Sequence, residues 1–285
     1  MKKVISLVLS ILMFLSVSLG ASASGIDNRS TNQNAKNKVS VNEYEMIKSL
    51  AKKSDPELND LGYEKEDIDK IKNYQKEYAK HLEKLSKLEE KNLKELGYSP
   101  EKVEILKAFD GSEEQITTLA ATLYLTLSCD YVTFSTSQNR TNARITYEFE
   151  WAGQPLFLFK DIVALAWNDW QIAGKYAYVN YVHVYGSEPD YIGYPTFQAN
   201  KGPSSYGAGY KWSMSDDDNY FWAQSGTGIF TLYHNYELQD LSAYAEYGHS
   251  TLSIEPSFSA TTPFDITFEG KVDTVDSTHL DKEVQ

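Results

Sequence analysis

The sequence predicts an α+β protein with segregated regions, in which a small N-terminal helical bundle precedes an all-β antiparallel sandwich or barrel domain. Apolar residues recur every three or four positions as far as Gly111 and at alternate positions beyond it. Charge and aromatic content change at the same point. Residues 24–112 hold 17 basic and 18 acidic residues, whereas residues 113–285 hold 8 basic and 22 acidic residues, all five Trp and 16 of the 21 Tyr.

The start of the chain indicates secretion. Two lysines open the sequence, residues 4–19 are apolar apart from serines, and residues 21–23 form an Ala-Ser-Ala triplet that suits a signal peptidase. Residues 1–23 are therefore predicted to be a bacterial signal peptide cleaved after Ala23. The expected location is extracellular, with no stable membrane anchor, because the apolar run is short for a membrane span. Cleavage leaves 25 basic and 40 acidic residues, a formal net charge of −15.

A helical segment is predicted over residues 41–111, after a disordered leader at residues 24–40 that is rich in Asn, Ser, Thr and Lys. The tripeptide Leu-Gly-Tyr occurs at residues 61–63 and again 35 positions later at residues 96–98. Each glycine lies where a helix should end, because glycine takes the left-handed C-cap conformation without a Cβ penalty. The predicted helices span residues 41–53, 64–94 (with a possible break near Ser86) and 99–109.

The β domain is predicted over residues 112–272, followed by a polar tail at residues 273–285. Seven to nine short strands occur without helices between them, which is typical of antiparallel sandwiches and barrels. The single cysteine, Cys129, cannot form an internal disulfide and lies on the apolar face of a predicted strand. We therefore expect the hydrophobic core alone to stabilise the fold.

The motifs of zinc proteases and serine hydrolases are absent from the sequence. There is no His-Glu-x-x-His, no Gly-x-Ser-x-Gly and no pair of cysteines, so we expect a binding protein more than an enzyme. Glu148 and Glu150 share one face of a predicted strand, where solvated charges are typical and an acid and base flanking a glycosidic bond are not. His183, His234 and His249 lie in or beside predicted strands, and a metal site formed by them is an alternative that their spacing does not require.

An acidic loop is the candidate metal site. Asp216, Asp217 and Asp218 offer several hard oxygens close together, which suits a structural calcium ion. The run lacks the alternating spacing and the glycine of an EF-hand loop, so a solvated turn is the alternative interpretation.

Aromatic residues near turns are the candidate ligand-binding residues. Exposed indole and phenol rings present flat apolar faces with polar edges, which suit stacking on sugar rings. The alternative is that these rings are core residues of the sheets. The candidates are Trp170, Trp212, Trp222, Tyr206 and Tyr210.

The sequence therefore predicts a secreted, non-catalytic protein whose acidic, aromatic-rich β domain binds polysaccharide or a cell-surface glycan. The strongly negative charge argues against nucleic acid as a partner, because the phosphate backbone is also negative. Three alternatives stay open. They are a membrane-active or pore-forming β protein, a glycan hydrolase, and a protein-interaction module that acts through the helical segment.

Overall fold

A computed structural model describes residues 36–186, 188–202, 206–216, 218, 220–238, 240–251, 256–262, 265–269 and 272–283. Seven helices occur in these residues, all ahead of the main run of strands, as the sequence predicts. The helices are α1 (Glu43–Leu50), α2 (Asp55–Asp60), α3 (Lys65–Lys72), α4 (Tyr74–Leu85), α5 (Glu90–Glu95), α6 (Pro100–Lys107) and α7 (Glu113–Leu119).

The strands form two larger sheets and one small one. The strands are β1 (Lys36–Asn42), β2 (Thr122–Ser135), β3 (Arg140–Ala152), β4 (Lys160–Trp167), β5 (Gln171–His183), β6 (Tyr191–Gly193), β7 (Thr196–Ala199), β8 (Gly207–Ser213), β9 (Phe221–His234), β10 (Asp240–Ser250), β11 (Ser257–Thr262), β12 (Asp265–Glu269) and β13 (Val272–Glu283). The six-stranded sheet has the order β1-β2-β3-β9-β5-β6, and the five-stranded sheet has the order β13-β10-β4-β8-β7. The strand pairings in both sheets are antiparallel, which confirms the predicted sheet type.

Aromatic rings join the two sheets. Phe149 of β3 stacks on Trp212 of β8 with centroids 4.5 Å apart, and Trp167 of β4 meets Phe230 of β9 at 5.5 Å. Buried and less buried residues alternate along β3, because successive side chains of a strand point to opposite faces. One face of the six-stranded sheet therefore packs on the other sheet.

The helical region is a tandem repeat of 35 residues. Gly62 and Gly97 both have a positive φ, of 85° and 87°, at the ends of α2 and α5. In each repeat the N–H of the following tyrosine donates to a carbonyl five residues earlier, Tyr63 to Leu58 at 2.9 Å and Tyr98 to Leu93 at 3.1 Å. These bonds satisfy carbonyls at each helix end, which is the role of a glycine C-cap.

A lysine closes each repeat in the same way. Lys72 Nζ donates to the carbonyls of Ala51, at 3.1 Å, and Lys53. Thirty-five residues later, Lys107 Nζ donates to the carbonyls of Ser86, at 3.0 Å, and Leu88. The repetition therefore extends from the Leu-Gly-Tyr turns to the packing of the helices around them.

The start of the described chain differs from the prediction. Residues 36–42 form strand β1, where the sequence predicts the end of a leader and the start of a helix. Its backbone pairs with β2 in antiparallel register, with Val39 opposite Leu125. Val39 and Val41 are the only apolar residues in this stretch, which is too few to predict a strand from the sequence. The strand forms because its backbone pairs with β2.

The predicted long helix over residues 64–94 is also interrupted. The structure has α3, α4 and α5 in its place. At the first break, the side chain of Asn73 donates to the carbonyl of Asp69 at 2.7 Å, alongside the backbone N–H of Asn73 at 3.1 Å. Such a side chain competes with helical hydrogen bonding. At the second break, which the prediction left open near Ser86, Glu89 takes an extended conformation before α5.

Two parts of the chain have a secondary structure that differs from the one predicted for their region. Helix α7 lies inside the predicted β domain, with Ser112 as its N-cap accepting from the N–H of Gln115. The predicted polar tail forms β13, which pairs with β10 along the edge of the five-stranded sheet. An edge strand needs backbone pairing on one side only, so a polar sequence can form it.

The main core joins the helices to both sheets. Buried residues of one cluster include Tyr44 and Tyr78 from the helices together with Leu125 from the six-stranded sheet and Trp167 from the five-stranded sheet. Apart from β1, the helices thus precede the strands along the sequence, and residues of both share the largest hydrophobic cluster. Among the described residues, no helix is long and apolar enough to cross a membrane.

Candidate functional site

The outer face of the six-stranded sheet carries rows of polar side chains that cross the strands. Cross-strand partners lie side by side on one face. One row runs through Lys38, Thr126, Glu148, Thr227 and Tyr178, and the next through Ser40, Tyr124, Glu150, Ser225 and Asn180. Each row spans five strands, or roughly 19 Å at about 4.8 Å between neighbouring strands.

These rows line a groove of about 420 Å³. Its lining combines hydroxyl groups, an amide, two carboxylates, one ammonium and aromatic rings. The volume lies within the roughly 300–1,000 Å³ that is usual for ligand pockets, but the lining is more polar than in most of them. The residues that line it are Lys38, Tyr124, Thr126, Glu148, Phe149, Glu150, Tyr178, Asn180, Ser225, Gly226 and Thr227.

The centre of the groove is polar and ordered by hydrogen bonds. Asn180 Nδ2 donates to Ser225 Oγ at 3.0 Å across the β5–β9 pair, which fixes the orientation of the amide. Glu148 and Glu150 are exposed and lie two residues apart on β3. At roughly 3.4 Å per residue their Cβ atoms are about 7 Å apart on one face. The groove therefore presents acceptors and donors at fixed spacings.

Aromatic rings form the two walls. On one side Lys38 Nζ lies over the ring of Tyr124, 4.1 Å from its centroid. On the other side Tyr178 lies next to Tyr176, with centroids 6.1 Å apart and the ring of Tyr176 half exposed. Tyr124 and Tyr178 are partly buried, and a ring beside a polar floor can stack on a flat apolar face of a ligand while the floor hydrogen-bonds its edges.

Three of the predicted binding residues are in the core. Trp170, Trp212 and Trp222 are 0%, 5% and 0% exposed, so the expectation of exposed indole rings is wrong. Trp212 stacks on Phe149 between the sheets, and the indole of Trp167 donates to the carbonyl of Trp170 at 3.0 Å. Nearness to turns suggested exposure, but the inward register of these side chains decides burial. Whether they contribute to ligand binding stays a prediction.

The two predicted tyrosines have different environments. Tyr210 is buried in the interface between the sheets, 5.4 Å from the ring of Phe230 and 6.4 Å from that of Tyr147. Tyr206 immediately precedes β8 and is half-buried. Neither residue lines the groove.

The acidic loop shows one clear structural role. Asp216 Oδ1 accepts from the backbone N–H of Phe221 at 3.1 Å, which closes the turn before β9. Asp218 is exposed, and Asp217 lies outside the described residues. Within the described part of the chain, no group of three or more His, Cys, Asp or Glu residues is placed to hold a metal ion. The calcium site stays a prediction.

A buried ionic cluster lies outside the groove, where α1 meets β4 and β10. His249 Nδ1 lies 2.9 Å from Asp161 Oδ1, and His249 Nε2 lies 3.3 Å from Glu43 Oε1. All three side chains are buried. Tyr247 donates to Asp161 at 2.5 Å, and Tyr78 of α4 donates to Glu43 at 2.6 Å.

The imidazolium of His249 and the carboxylates of Asp161 and Glu43 stabilise each other's charged forms. Burial by itself lowers the pKa of His249, but the charge of Asp161 and the hydrogen bonds to Asp161 and Glu43 outweigh it and raise the pKa to about 10. Burial by itself raises the pKa of Glu43, but His249, Tyr78 and the N–H of Leu156 together hold it below its ordinary value. The cluster is therefore an imidazolium between carboxylates, shielded from solvent, and its chemistry is structural.

The groove residues were missed by the sequence analysis except for the shared face of Glu148 and Glu150. The signal was present in β9, where Ser225 and Thr227 alternate with glycines, and in β2, where Tyr124 and Thr126 alternate with leucines. Alternation shows that these residues share a face of their own strand. The order of the strands in the sheet brings the residues of different strands together, and the alternation pattern does not reveal that order.

Comparison with known proteins gives no family assignment. No protein-family model matches the chain, and no curated protein matches it. Solved structures with some similarity include the collagen-binding subdomain of the Enterococcus faecalis surface protein ACE, 9% identical over 54% of this chain and 93% of that chain, with a TM-score of 0.26.

Two further solved structures have similarly low identities and TM-scores. The C-terminal domain of the Streptococcus agalactiae antigen I/II polypeptide BspA is 6% identical over 56% of this chain and 57% of that chain, with a TM-score of 0.28. Clostridium perfringens delta-toxin is 7% identical over 57% of this chain and 83% of that chain, with a TM-score of 0.24. At these TM-scores the similarities carry no argument about function.

Proposed function

We propose that this chain is a secreted, non-catalytic protein that binds a polysaccharide or cell-surface glycan in the groove on the outer face of the six-stranded sheet. The carrying observation is the groove itself, about 420 Å³ lined by hydroxyls, an amide and carboxylates between tyrosine rings. Sugars combine flat apolar ring faces with a periphery of hydroxyl groups. The walls suit the ring faces, and the floor suits the hydroxyls.

The support behind the groove makes it a fixed surface. On this proposal the two sheets form a sandwich, and the stacked pair of Phe149 and Trp212 holds β3 against the second sheet directly beneath Glu148 and Glu150. A preformed site loses little conformational entropy on binding, so modest contacts suffice for useful affinity. The extracellular location follows from the predicted signal peptide, which lies outside the described residues, and belongs to the same proposal.

The test is retention of the full chain on insoluble cell wall, chitin and cellulose, comparing wild type with Tyr124→Ala and Tyr178→Ala. Tyr236→Ala is the matched control, because Tyr236 is 66% exposed and does not line the groove. We expect each groove variant to lower affinity about tenfold, equivalent to about 1.4 kcal/mol, and the control to bind as wild type. If wild type, both groove variants and the control were retained equally, the groove would not be the glycan-binding site.

A hydrolase is the second candidate, because the groove holds two carboxylates. Their Cβ atoms are about 7 Å apart, and inverting glycosidases hold their two carboxyl groups roughly 6.5–9.5 Å apart. Both side chains come from the same strand, however, so they lie side by side on the floor and not on either side of a bound sugar. Release of reducing ends from the retained glycan, lost in Glu148→Gln or Glu150→Gln, would establish this activity.

A further inference from the structure

A cluster of aromatic rings lies outside the groove, where β5 ends and β9 begins. The ring of His183 is 6.0 Å from that of Tyr185 and 6.1 Å from that of Tyr220, and the two tyrosine rings are 6.3 Å apart. We infer that this ring cluster, formed by His183, Tyr185 and Tyr220, is a second binding site and takes a quaternary ammonium group of the choline type. The inference goes beyond the proposed function and does not depend on glycan binding in the groove.

Exposed apolar side chains concentrate in and beside the ring cluster. Phe221 links the cluster to strand β6, because its ring lies 4.8 Å from that of His183 and 5.1 Å from that of Tyr191. In the part of the chain that the structure describes, eight large apolar side chains are exposed, and five of them belong to the cluster, to β6 or to the residue after β6: Tyr185, Tyr191, Ile192, Tyr194 and Tyr220. Grouped exposure of this kind is typical of binding surfaces, whereas single exposed apolar residues are ordinary.

Hydrogen bonds hold the backbone that carries the two exposed rings. The N–H of Val184 donates to the carbonyl of Tyr220 at 2.8 Å, which joins the segment after β5 to the segment before β9. The N–H of Tyr185 donates to His183 Nδ1 at 3.1 Å, and the carbonyl of Tyr185 accepts from Asn92 Nδ2 of α5 at 2.6 Å. A ligand therefore meets rings that are already in place, so little conformational entropy is lost on binding.

The electrostatics of the ring cluster favour a cation. The faces of its tyrosine rings are the negative ends of their quadrupoles. His183 Nδ1 accepts a hydrogen bond and so carries no proton, which leaves the imidazole neutral. Two carboxylates lie beside the rings, since Asp190 accepts from the N–H of His183 at 3.3 Å and Asp216 from that of Phe221 at 3.1 Å. Burial, and after it the charge of Asp216, raises the pKa of Tyr191, so this carboxylate acts on the same surface.

The geometry of the rings favours a methylated ammonium group over a primary one. The rings of Tyr185 and Tyr220 are inclined at 60° with centroids 6.3 Å apart, so one cation can lie within about 6 Å of both centroids, where cation–π attraction acts. A primary ammonium group is strongly hydrated and would exchange hydrogen bonds to water for ring faces. A trimethylammonium group has no N–H to leave unpaired, and its methyl groups fit against apolar ring faces.

The experiment compares three small ligands by equilibrium dialysis against the full chain. They are choline, ethanolamine, which keeps the positive charge without the methyl groups, and the neutral isostere of choline in which a tert-butyl group replaces the trimethylammonium group. We expect choline to bind at least about tenfold more tightly than either of the others, because each lacks one of the two properties that the rings recognise. Equal binding of choline and ethanolamine, equal binding of choline and its neutral isostere, or no binding of choline would overturn the inference.

Ring variants locate the bound choline. Tyr185→Leu and Tyr220→Leu remove a ring but keep an apolar side chain, and each should weaken choline binding about tenfold, whereas Tyr185→Phe and Tyr220→Phe keep the ring and should bind as wild type. Tyr236→Leu is the matched control, because Tyr236 is 66% exposed and its ring lies 5.8 Å from that of a different histidine, His234. Wild-type binding in both leucine variants of the cluster would place choline elsewhere and overturn the inference.

A last arm identifies the source of the choline group. Wild type and Tyr185→Leu are sedimented with phosphatidylcholine vesicles, with and without free phosphocholine. Retention of wild type that phosphocholine displaces supports the inference with a lipid as the source. Binding of free choline without retention on vesicles supports it with a soluble or polymer-borne head group as the source. Retention that phosphocholine leaves unchanged and that Tyr185→Leu shares would contradict recognition of choline by the ring cluster.

Discussion

His249 is held between two carboxylates that come from different parts of the fold. Glu43 is the first residue of α1, and Asp161 is the second residue of β4. Each carboxylate has further donors, including the backbone N–H groups of Leu156 and Phe157 for Glu43 and that of Ser250 for Asp161. Removing one partner from such a cluster leaves an uncompensated buried charge, which typically costs about 3–5 kcal/mol.

The stability of the protein should depend on pH through this cluster. The pKa of His249 is raised from 6.5 to about 10, so its contribution is complete below pH 6.5 and is lost as the pH rises towards 10. The pKa of Glu43 is lowered from 4.5, so its contribution is present above pH 4.5 and is lost at lower pH. We expect maximal free energy of unfolding between these limits, measured by urea denaturation across the pH range.

The variant His249→Gln separates this effect from other titrations. It should lower the free energy of unfolding by about 3–5 kcal/mol near pH 6 and remove the decline between pH 6.5 and 10. His234→Ala is the control, because His234 is partly exposed and lies outside the cluster. An unchanged alkaline decline in His249→Gln would show that other groups cause it.

The turns of the two helical repeats are also docking points for the sheets. The Tyr63 hydroxyl lies 2.7 Å from Thr251 Oγ1, directly after β10. In the second repeat the carbonyl of Leu96 accepts from the N–H of Gly153, directly after β3, at 3.0 Å. The same turn that ends a helix therefore contacts the β region in both repeats.

Substitution of Gly97 should reveal this docking. A Cβ at Gly97 would lie 3.2 Å from the backbone of Trp151 and Ala152, and φ is +87°. Gly111 has a similar φ of +82° but no atom within 4 Å of the added Cβ. Gly111→Ala should therefore lower the free energy of unfolding only by the cost of holding an alanine in the left-handed conformation, about 1–2 kcal/mol.

Gly97→Ala should cost a further ~1–3 kcal/mol, because the turn must move off the end of β3. The measurement is the free energy of unfolding of both variants in urea. If both substitutions lowered the free energy of unfolding equally, the backbone at the end of β3 would not hinder a side chain at position 97.

In the part of the chain that the structure describes, the largest hydrophobic cluster joins the helices to the sheets, and two smaller clusters lie apart from it. Tyr78 of α4 donates to Glu43, and its hydroxyl also accepts from the N–H of Ala121 at the start of the β region, at 3.1 Å. Strand β1 precedes every helix along the chain, yet it forms the edge of the six-stranded sheet. The chain therefore leaves the sheet for seven helices and returns to pair beside its own start.

Unfolding should consequently be a single cooperative transition. All five tryptophans lie beyond residue 112, so tryptophan fluorescence reports the β region, while the helical signal of far-UV circular dichroism reports residues 43–119. We expect the two signals to give the same midpoint in urea, because the largest hydrophobic cluster contains residues of both regions. A helical transition at a clearly lower urea concentration would contradict a shared core.

The sequence alone determined the properties that depend on neighbours along the chain. The Leu-Gly-Tyr turns end their helices with glycines at positive φ as predicted, since capping involves residues within one turn of each other. Alternation likewise placed Glu148 and Glu150 together on a solvated face of their strand, where both side chains are exposed. The change from helices to a mostly antiparallel sheet region followed from the change in period.

The tertiary structure decided what depends on partners far apart in sequence. Polar strands β1 and β13 exist because β2 and β10 pair with them, and local sequence carries little signal for such edges. Trp212 looked exposed beside an acidic loop, but the facing sheet covers it. The groove and the His249 cluster each gather residues from four or more elements, and strand order and packing alone bring such residues within reach of one another.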